Sequence, residues 1–519
     1  MTLFPSSRAR QGLAVAALAG VLQALSMAWP GSGQAQGWLQ VLSLALFASG
    51  LIRQAQSDEP LSPILRAAAW RTAIFALFWL TSAFWWLYVS MHEVGGLPAP
   101  LAVMALLLLG GALALFYVGP MLVWVTLVRR AGWLQRPLAA SGLFTALWLL
   151  ADLMRGRWFT GFPWAAGGYA HVDSWLALAA PWVGVYGMGA LAALLAMRLA
   201  WPGQRWRAAG LLTVVLGGLH LLPSGESFTR SAGTAQVELL QANISQNDKF
   251  DVASGIRDAL LWYGQRLKTS SQPLVIAPET AIPILPQLLP SAYWTDLQAH
   301  FAQGQQLALV GVPWGNQTQG YANALVALGP KSMPEYRYDK FHLVPFGEFI
   351  PPGFGWFVRQ MQIPLGDFTP GSVHQPSVAW QGQRLAPNIC YEDLFGEELA
   401  QRFRDGEVPP TVLVNVSNIG WFGNTVAVDQ HLNISRLRAM ELSRPMLRAT
   451  NTGATAIIDH RGQVTGLLPR FTRGSLTGRF EGRDGITPYA RWAAALGLWP
   501  LWLLALLVVG WAAWAARRR

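Results

Sequence analysis

The sequence predicts a multi-span α-helical membrane domain of about eight helices joined to one layered α/β domain. Three observations carry that prediction. Hydrophobic residues make up 52% of the 519-residue chain and charged residues only 13%, about half the share in an ordinary soluble domain. The apolar residues concentrate in the first 222 positions and the last 30. Between them, short β-rich runs alternate with amphipathic ones, as in a water-soluble domain.

A bilayer core about 30 Å thick needs about 20 apolar residues per helix. Suitable runs lie near 11–29, 37–53, 70–90, 99–128, 137–154, 175–197, 207–222 and 490–515. The fourth is long enough that it must tilt, extend beyond the lipid or break near Pro120. The predicted division is therefore a seven-span part at 1–222, a soluble domain at 223–488, and a final helix with a basic tail at 489–519. Tryptophan clusters at Trp79, Trp85 and Trp86, and at Trp492, Trp499 and Trp502, fit interfacial belts.

The net charge of +11 raises the question of a nucleic-acid partner, and the location of the charge excludes it. Fourteen of the 38 basic residues, among them Arg53, Arg129, Arg130, Arg136, Arg198, Arg207 and Arg517 to Arg519, flank apolar runs. The rest are balanced by acids, so no basic patch remains. Loops 2–3, 4–5 and 6–7 and both termini carry the cations, while loop 5–6 has only Arg155 and Arg157. Lys and Arg favour the cytoplasmic side, which predicts cytoplasmic termini and a soluble domain in the periplasm, in the inner membrane of a Gram-negative cell. Arg8, Arg10 and the small residues Gly31 to Ala35 also match a cleaved signal peptide. The long apolar run and the spans that follow favour a retained helix, and the soluble domain falls on the same side either way.

Cys390 is the lone cysteine, which excludes internal disulfides and multi-thiolate metal sites. No two of the eight histidines are three to five residues apart, so no helical metal site is expected. Within the soluble part, 237–240, 274–277, 308–312, 322–328, 411–416 and 454–459 read as strands. Several are apolar throughout and so covered on both faces. Helices are expected around 252–267, 291–303, 394–403 and 428–443.

Three polar residues stand at or near the ends of strand-like runs, where layered α/β folds tend to place ligands. They are Glu279 after Leu274–Pro278, Lys340 within Tyr338–His342, and Cys390 before Tyr391, Glu392 and Asp393. Lysine is rare here, with only Lys249, Lys268, Lys331 and Lys340. Taken singly, each of the three has an ordinary explanation, as a surface ion pair or a small buried thiol. Together they suffice for acyl transfer. A carboxylate can deprotonate the thiol, and an ammonium can stabilise the thiolate and the oxyanion, with no metal or cofactor. Neither a G-x-S-x-G elbow nor a G-K-[ST] phosphate loop is present.

Five separated segments then stand in a familiar order: Gln241-Ala-Asn243-Ile-Ser-Gln246, Ala277-Pro-Glu279-Thr, Asp339-Lys340-Phe-His-Leu-Val-Pro345-Phe-Gly347-Glu348, Cys390-Tyr391-Glu392 and Asn415-Val-Ser-Asn418. Over essentially its whole length the chain resembles the apolipoprotein N-acyltransferases, the membrane branch of the nitrilase (carbon-nitrogen hydrolase) superfamily. The resemblance implies a nitrilase-like αββα sandwich with Glu279 as general base, Lys340 as oxyanion stabiliser and Cys390 as nucleophile. Glu348, Tyr391 and Glu392 are implied as supporting active-site residues. It implies two partners, a phospholipid acyl donor and a diacylated apolipoprotein whose N-terminal cysteine amine accepts the chain. Phe250 departs from the family, where a tryptophan is expected.

The Pro-rich apolar stretches Leu285 to Pro290 and Pro351 to Phe357 suit loops that dip into the outer leaflet, or that pack on the transmembrane bundle. Two other functions fit parts of the sequence. A membrane-tethered amidase would turn over small amides without lipid, and a non-enzymatic assembly protein would not need Cys390.

Overall fold

The computed structural model describes residues 7–203, 205–249, 251–318, 320–355 and 367–518. The chain separates into two compact units: Met1–Leu87 with Ala99–Ser224 and Leu496–Arg519, and Tyr88–Pro98 with Gly225–Ala495.

The first unit is helical. Helices form at Ser7–Leu25, Gly37–Ala55, Leu61–Ala83, Ala99–Arg130, Pro137–Arg157, Ala180–Ala200, Arg205–Leu221 and Trp499–Arg517. Among the described residues, five helical segments are long and apolar enough to cross a membrane: Leu61–Ala83, Ala99–Arg130, Pro137–Thr160, Trp175–Ala200 and Trp499–Arg517. Ala99–Arg130 continues through Pro120 without a break, so the excess length is met by tilt or extension. Close packing needs small residues. A Cβ on Gly20 would lie 2.3 Å from the Phe75 carbonyl oxygen, so the first and third helices meet there backbone to backbone.

Three expectations need correction. Trp79 and Trp86 are buried rather than facing lipid, because Trp79 stacks on Trp148 in an aromatic core with Phe75 and Tyr117. Arg155 is not a loop charge. It is buried inside its helix, bonded to the Tyr117 hydroxyl at 3.0 Å and to the carbonyls of Phe162 and Trp164 at 2.7 and 2.6 Å. The last apolar run is two helices parted at Gly497, whose φ of +56° ends the first. The first of these, Pro488–Leu496, buries Tyr489, Ala490 and Ala493 in the second unit.

Among the described residues, the second unit holds twelve strands in two sheets. They are β1 Thr229–Gln241, β2 Leu274–Ile276, β3 Leu307–Asn316, β4 Gly320–Leu328, β5 Tyr336–Asp339, β6 Val378–Trp380, β7 Gln383–Ile389, β8 Val412–Ser417, β9 Met446–Thr450, β10 Ala456–Ile458, β11 Val464–Leu467 and β12 Gly474–Gly485. The orders are β12-β1-β2-β3-β4-β5 and β11-β10-β9-β8-β7-β6. In each sheet three adjacent strands run parallel, β1-β2-β3 and β7-β8-β9.

Alternation along the strands builds the layers. Leu239, Leu274, Ile276 and Leu309 of one sheet meet Leu385, Ile389, Val414 and Leu447 of the other in a shared core. Their neighbours Leu240, Val275, Ala308 and Val310 face outward, onto Ala259, Tyr263, Leu267, Leu297 and Phe301 of helices Arg257–Thr269 and Tyr293–Gln303. On the other outer face, Ala386 and Leu413 meet Ala439 and Leu442 of Val426–Leu442 and the helix at Pro488–Leu496. The result is the nitrilase-like helix–sheet–sheet–helix sandwich.

A polar network is buried under that outer face. Arg448, paired in register with Asn415, donates to Asn415 Oδ1 at 2.9 Å and to Ser435 Oγ at 2.8 Å, and lies 3.4 Å from Asp393 Oδ2. His431 joins Asp393 at 2.8 Å and Arg448 at 2.9 Å. Removing one member strands the charges left behind. Arg448→Met should lower the thermal midpoint of the purified protein sharply, with a cost of about 3–5 kcal/mol for the orphaned carboxylate. An unchanged midpoint contradicts this account of the network.

Candidate active site

Each of the three sequence-nominated residues directly follows a strand or its short extension. Glu279 stands three residues past β2, where Ala277 still bonds the Leu309 carbonyl of β3. A Cβ on Gly311 would come within 2.2 Å of the Pro278 oxygen and 2.8 Å of the Glu279 Cα, so only glycine lets β3 seat the Glu279 loop this closely. Lys340 follows β5, and its N–H donates to the Asn323 carbonyl of β4 at 2.8 Å. Cys390 follows β7 in a left-handed conformation, φ +53°, a strain of about 1–3 kcal/mol for a residue other than glycine.

Lys340 and its carboxylates are in direct contact. The Lys340 ammonium, 1% exposed, lies 3.3 Å from Glu279 Oε1 and 2.9 Å from Glu348. Asn323 Nδ2 donates to both carboxylates, at 2.7 Å each. The second Glu279 oxygen accepts the Asn418 N–H at 2.8 Å. The second Glu348 oxygen accepts the Val344 N–H at 2.8 Å. Cys390, partly exposed, accepts a hydrogen bond at Sγ from Ser417 Oγ at 3.3 Å, and its carbonyl accepts Asn415 Nδ2 at 3.2 Å.

The strained Cys390 turn is held by Glu392. This carboxylate accepts the Ile389 N–H at 2.5 Å, the Phe341 N–H at 2.7 Å, and the Tyr338 hydroxyl at 2.9 Å. One side chain thus ties the loop of Cys390 to the loop of Lys340. Tyr391 packs its ring against His342 and Phe395, with centroids 5.6 and 5.4 Å apart.

The charges act on one another. Burial alone would raise the Glu279 carboxyl, but Lys340, the Asn323 amide, Lys249 and the Asn418 N–H together hold it below its usual range. Burial opposes the charge on Lys340, yet Glu348 and Glu279 raise its pKa above the usual lysine value. Burial and the Glu279 charge push the Cys390 thiol up to about 12, against the pull of Lys340 and Ser417. The resting site is therefore a carboxylate, an ammonium and a neutral thiol.

Several neighbours of these residues escaped the sequence reading. Lys249, 2% exposed, donates to Thr280 Oγ1 at 2.6 Å and to the Glu279 carbonyl at 3.2 Å. Burial brings its pKa down to about 8. Asn418 also donates to Gln246 Oε1 at 2.8 Å. The two outer motifs, Gln241 to Gln246 and Asn415 to Asn418, were legible as motifs but not as each other's partners. Asn323 carries no sequence signal beyond being an amide in an apolar strand. Among the described residues no cluster of His, Cys, Asp and Glu could hold a metal ion. Leu288, Ile350 and Phe354 are exposed, whereas Phe250, Trp356 and Phe357 lie outside the described residues.

Comparison with known proteins gives the following. Residues 19–198 match the family described as the apolipoprotein N-acyltransferase N-terminal domain, and residues 237–481 match the carbon-nitrogen hydrolase family. The apolipoprotein N-acyltransferase of Verminephrobacter eiseniae is 52% identical over 97% of this chain and 96% of its own. That of Ralstonia nicotianae is 45% identical over 97% and 94%, and that of Bordetella bronchiseptica 40% over 95% and 96%.

The thiol's elevated pKa yields a test. Alkylation of Cys390 by iodoacetamide should keep accelerating from pH 8 to pH 10, where an ordinary thiol with a pKa of about 8.5 levels off. Glu279→Gln removes the negative charge while leaving Lys340, so its alkylation profile should move to lower pH. A plateau near pH 8.5 in the parent protein, or an unmoved profile in the variant, contradicts the assignment.

Proposed function

The chain belongs to the apolipoprotein N-acyltransferase family, and from that premise we propose that Cys390, Glu279 and Lys340 carry its acyl transfer through a thioester. The enzyme is an N-acyltransferase of a bacterial membrane. The observation that carries the residue assignment is the buried Lys340 ammonium held between Glu279 and Glu348, in the same site as the Cys390 thiol, whose upward pKa shift its charge opposes.

The Glu279 carboxylate takes the Sγ proton as the thiolate attacks an ester carbonyl of a phospholipid. The tetrahedral oxyanion forms beside Lys340, whose ammonium stabilises it. Collapse breaks the ester C–O bond, and the lysophospholipid oxygen leaves with the proton from Glu279. The amine of a diacylated apolipoprotein then attacks the thioester, Glu279 accepts its proton, and Cys390 departs as thiolate to be reprotonated. The product is an amide, and Glu279 serves as base in both halves. Glu348 and Asn323 position the ammonium, and Glu392 holds the strained nucleophile turn. Tyr391 packs that turn in place.

The lipid and lipoprotein substrates set the location. Eight spans, cytoplasmic termini, and a catalytic domain at about 223–488 in the periplasm of an inner membrane are supported by the asymmetry of loop cations. Exposed Leu288, Ile350 and Phe354 suit loops that meet an acyl chain. Water competes with the amine for the thioester, and an apolar, lipid-filled entrance disfavours it.

With purified protein, phospholipid and a synthetic diacylglyceryl-cysteine peptide, mass spectrometry should show the peptide gaining one acyl chain. Cys390→Ala should lose about 10³-fold or more of that activity. Turnover of small amides without acylation of the peptide favours the amidase reading instead. Combining Leu288→Ser with Phe354→Ser should slow acylation about tenfold, as loss of about 1.4 kcal/mol of apolar contact implies. An unchanged rate removes these loops from the lipid path.

A further inference from the structure

We propose that an arginine-lined cavity in the helical unit binds the phosphate of an anionic phospholipid, at a site separate from the acyl-transfer residues. The cavity has a volume of about 710 Å³ and is lined by Arg136, Leu138, Arg198, Arg207, Val508 and Trp511, with Pro137, Ala139 and Gly142 completing the wall. Every one of these residues belongs to the first unit, whereas Glu279, Lys340 and Cys390 belong to the second.

Helix order brings the three arginines to one end of the bundle. Arg136 directly precedes Pro137–Arg157, Arg198 lies in the last turn of Ala180–Ala200, and Arg207 in the first turn of Arg205–Leu221. Trp511 sits in the second half of Trp499–Arg517 and stacks on Trp133, with centroids 4.7 Å apart. Arg129, Arg130 and Arg517, also in last turns, add to the positive charge of these helix ends.

None of the nine lining residues is acidic. Arg136, Arg198 and Arg207 therefore give the wall a positive charge, which an anion seated there would meet. Arg198 is 5% exposed and lies in the wall of the cavity, while Arg136 and Arg207 are exposed at its rim. Guanidinium forks match phosphate oxygens two at a time.

The rest of the wall selects a lipid over a free ion. Leu138 and Trp511 are exposed apolar side chains on the same cavity as the arginines, a combination that suits a headgroup with its acyl chains attached. Basic helix ends mark the cytoplasmic leaflet, which is where anionic lipids attract polybasic segments.

The test is lipid retention by the intact protein in native mass spectrometry, with phosphatidylglycerol, phosphatidylethanolamine and inorganic phosphate as separate arms. The parent protein should retain phosphatidylglycerol at least tenfold better than phosphatidylethanolamine, and millimolar phosphate should not displace it. Arg136→Gln with Arg207→Gln should abolish the preference while peptide acylation stays unchanged. Should that variant misfold, Leu138→Glu places a carboxylate at the same cavity and should abolish the preference alone. Equal retention of the two lipids, a preference that survives these substitutions, or displacement by inorganic phosphate overturns the proposal.

Discussion

A lysine ammonium can be sealed from water only if its charge is met inside the protein, because removing an unpaired ion from water costs several kcal/mol. Lys340 meets that constraint with two carboxylates, Glu279 and Glu348, and much of the site follows from the arrangement. Two carboxylates this close would repel, so the Asn323 amide is placed to donate to both. The free oxygen of Glu279 needs a donor, and the Asn418 N–H supplies it. The outcome is a carboxylate kept ionised by its neighbours, and a thiol kept protonated by burial and by that same carboxylate. In the proposed reaction, attack on an ester relieves the imbalance, since the proton moves from sulfur to carboxylate while negative charge develops beside Lys340.

The sandwich makes this geometry possible because it draws the parts from both sheets. Glu279, Asn323 and Lys340 come from the sheet containing β2, β4 and β5, while Cys390, Ser417 and Asn418 come from the one containing β7 and β8. Neither sheet alone assembles the chemistry. The core between them is mainly aliphatic, with Tyr338 and Phe480 among its buried residues. Specificity of docking comes instead from polar bridges across the seam: Glu392 to the Lys340 loop, and Asn418 to Glu279. The strained backbone at Cys390 persists because Glu392 and Asn415 bind the peptide groups around it.

Much of this was legible in the sequence. The two-part division followed from where the apolar residues lie, and β1 to β4, β8 and β10 announced themselves as apolar runs. The other six strands did not. β5 is Tyr-Arg-Tyr-Asp, β7 contains Pro387, and β9 buries Arg448 among apolar residues. In each, tertiary partners rather than propensity make the strand. Tryptophans near span ends looked like lipid anchors, yet Trp79 and Trp86 are core, since a periodic apolar face reads alike whether it meets lipid or protein. The motif residues were visible because polar side chains end apolar runs. Asn323 was not, and the pairing of Asn418 and Lys249 with Glu279 was not either, because which donors converge on a carboxylate is decided by the packing of two sheets.

The proposed mechanism requires a covalent bond between an acyl chain and Cys390. Intact-mass measurement of the purified enzyme after exposure to phospholipid alone, without any acceptor, tests it most directly. The expected result is a mass increase of one acyl group that maps to Cys390, is discharged on adding a lipoprotein amine, and is missing from Cys390→Ala and Glu279→Gln. Acylation of an acceptor by a protein that never carries this adduct, or an adduct mapped to another residue, would contradict it.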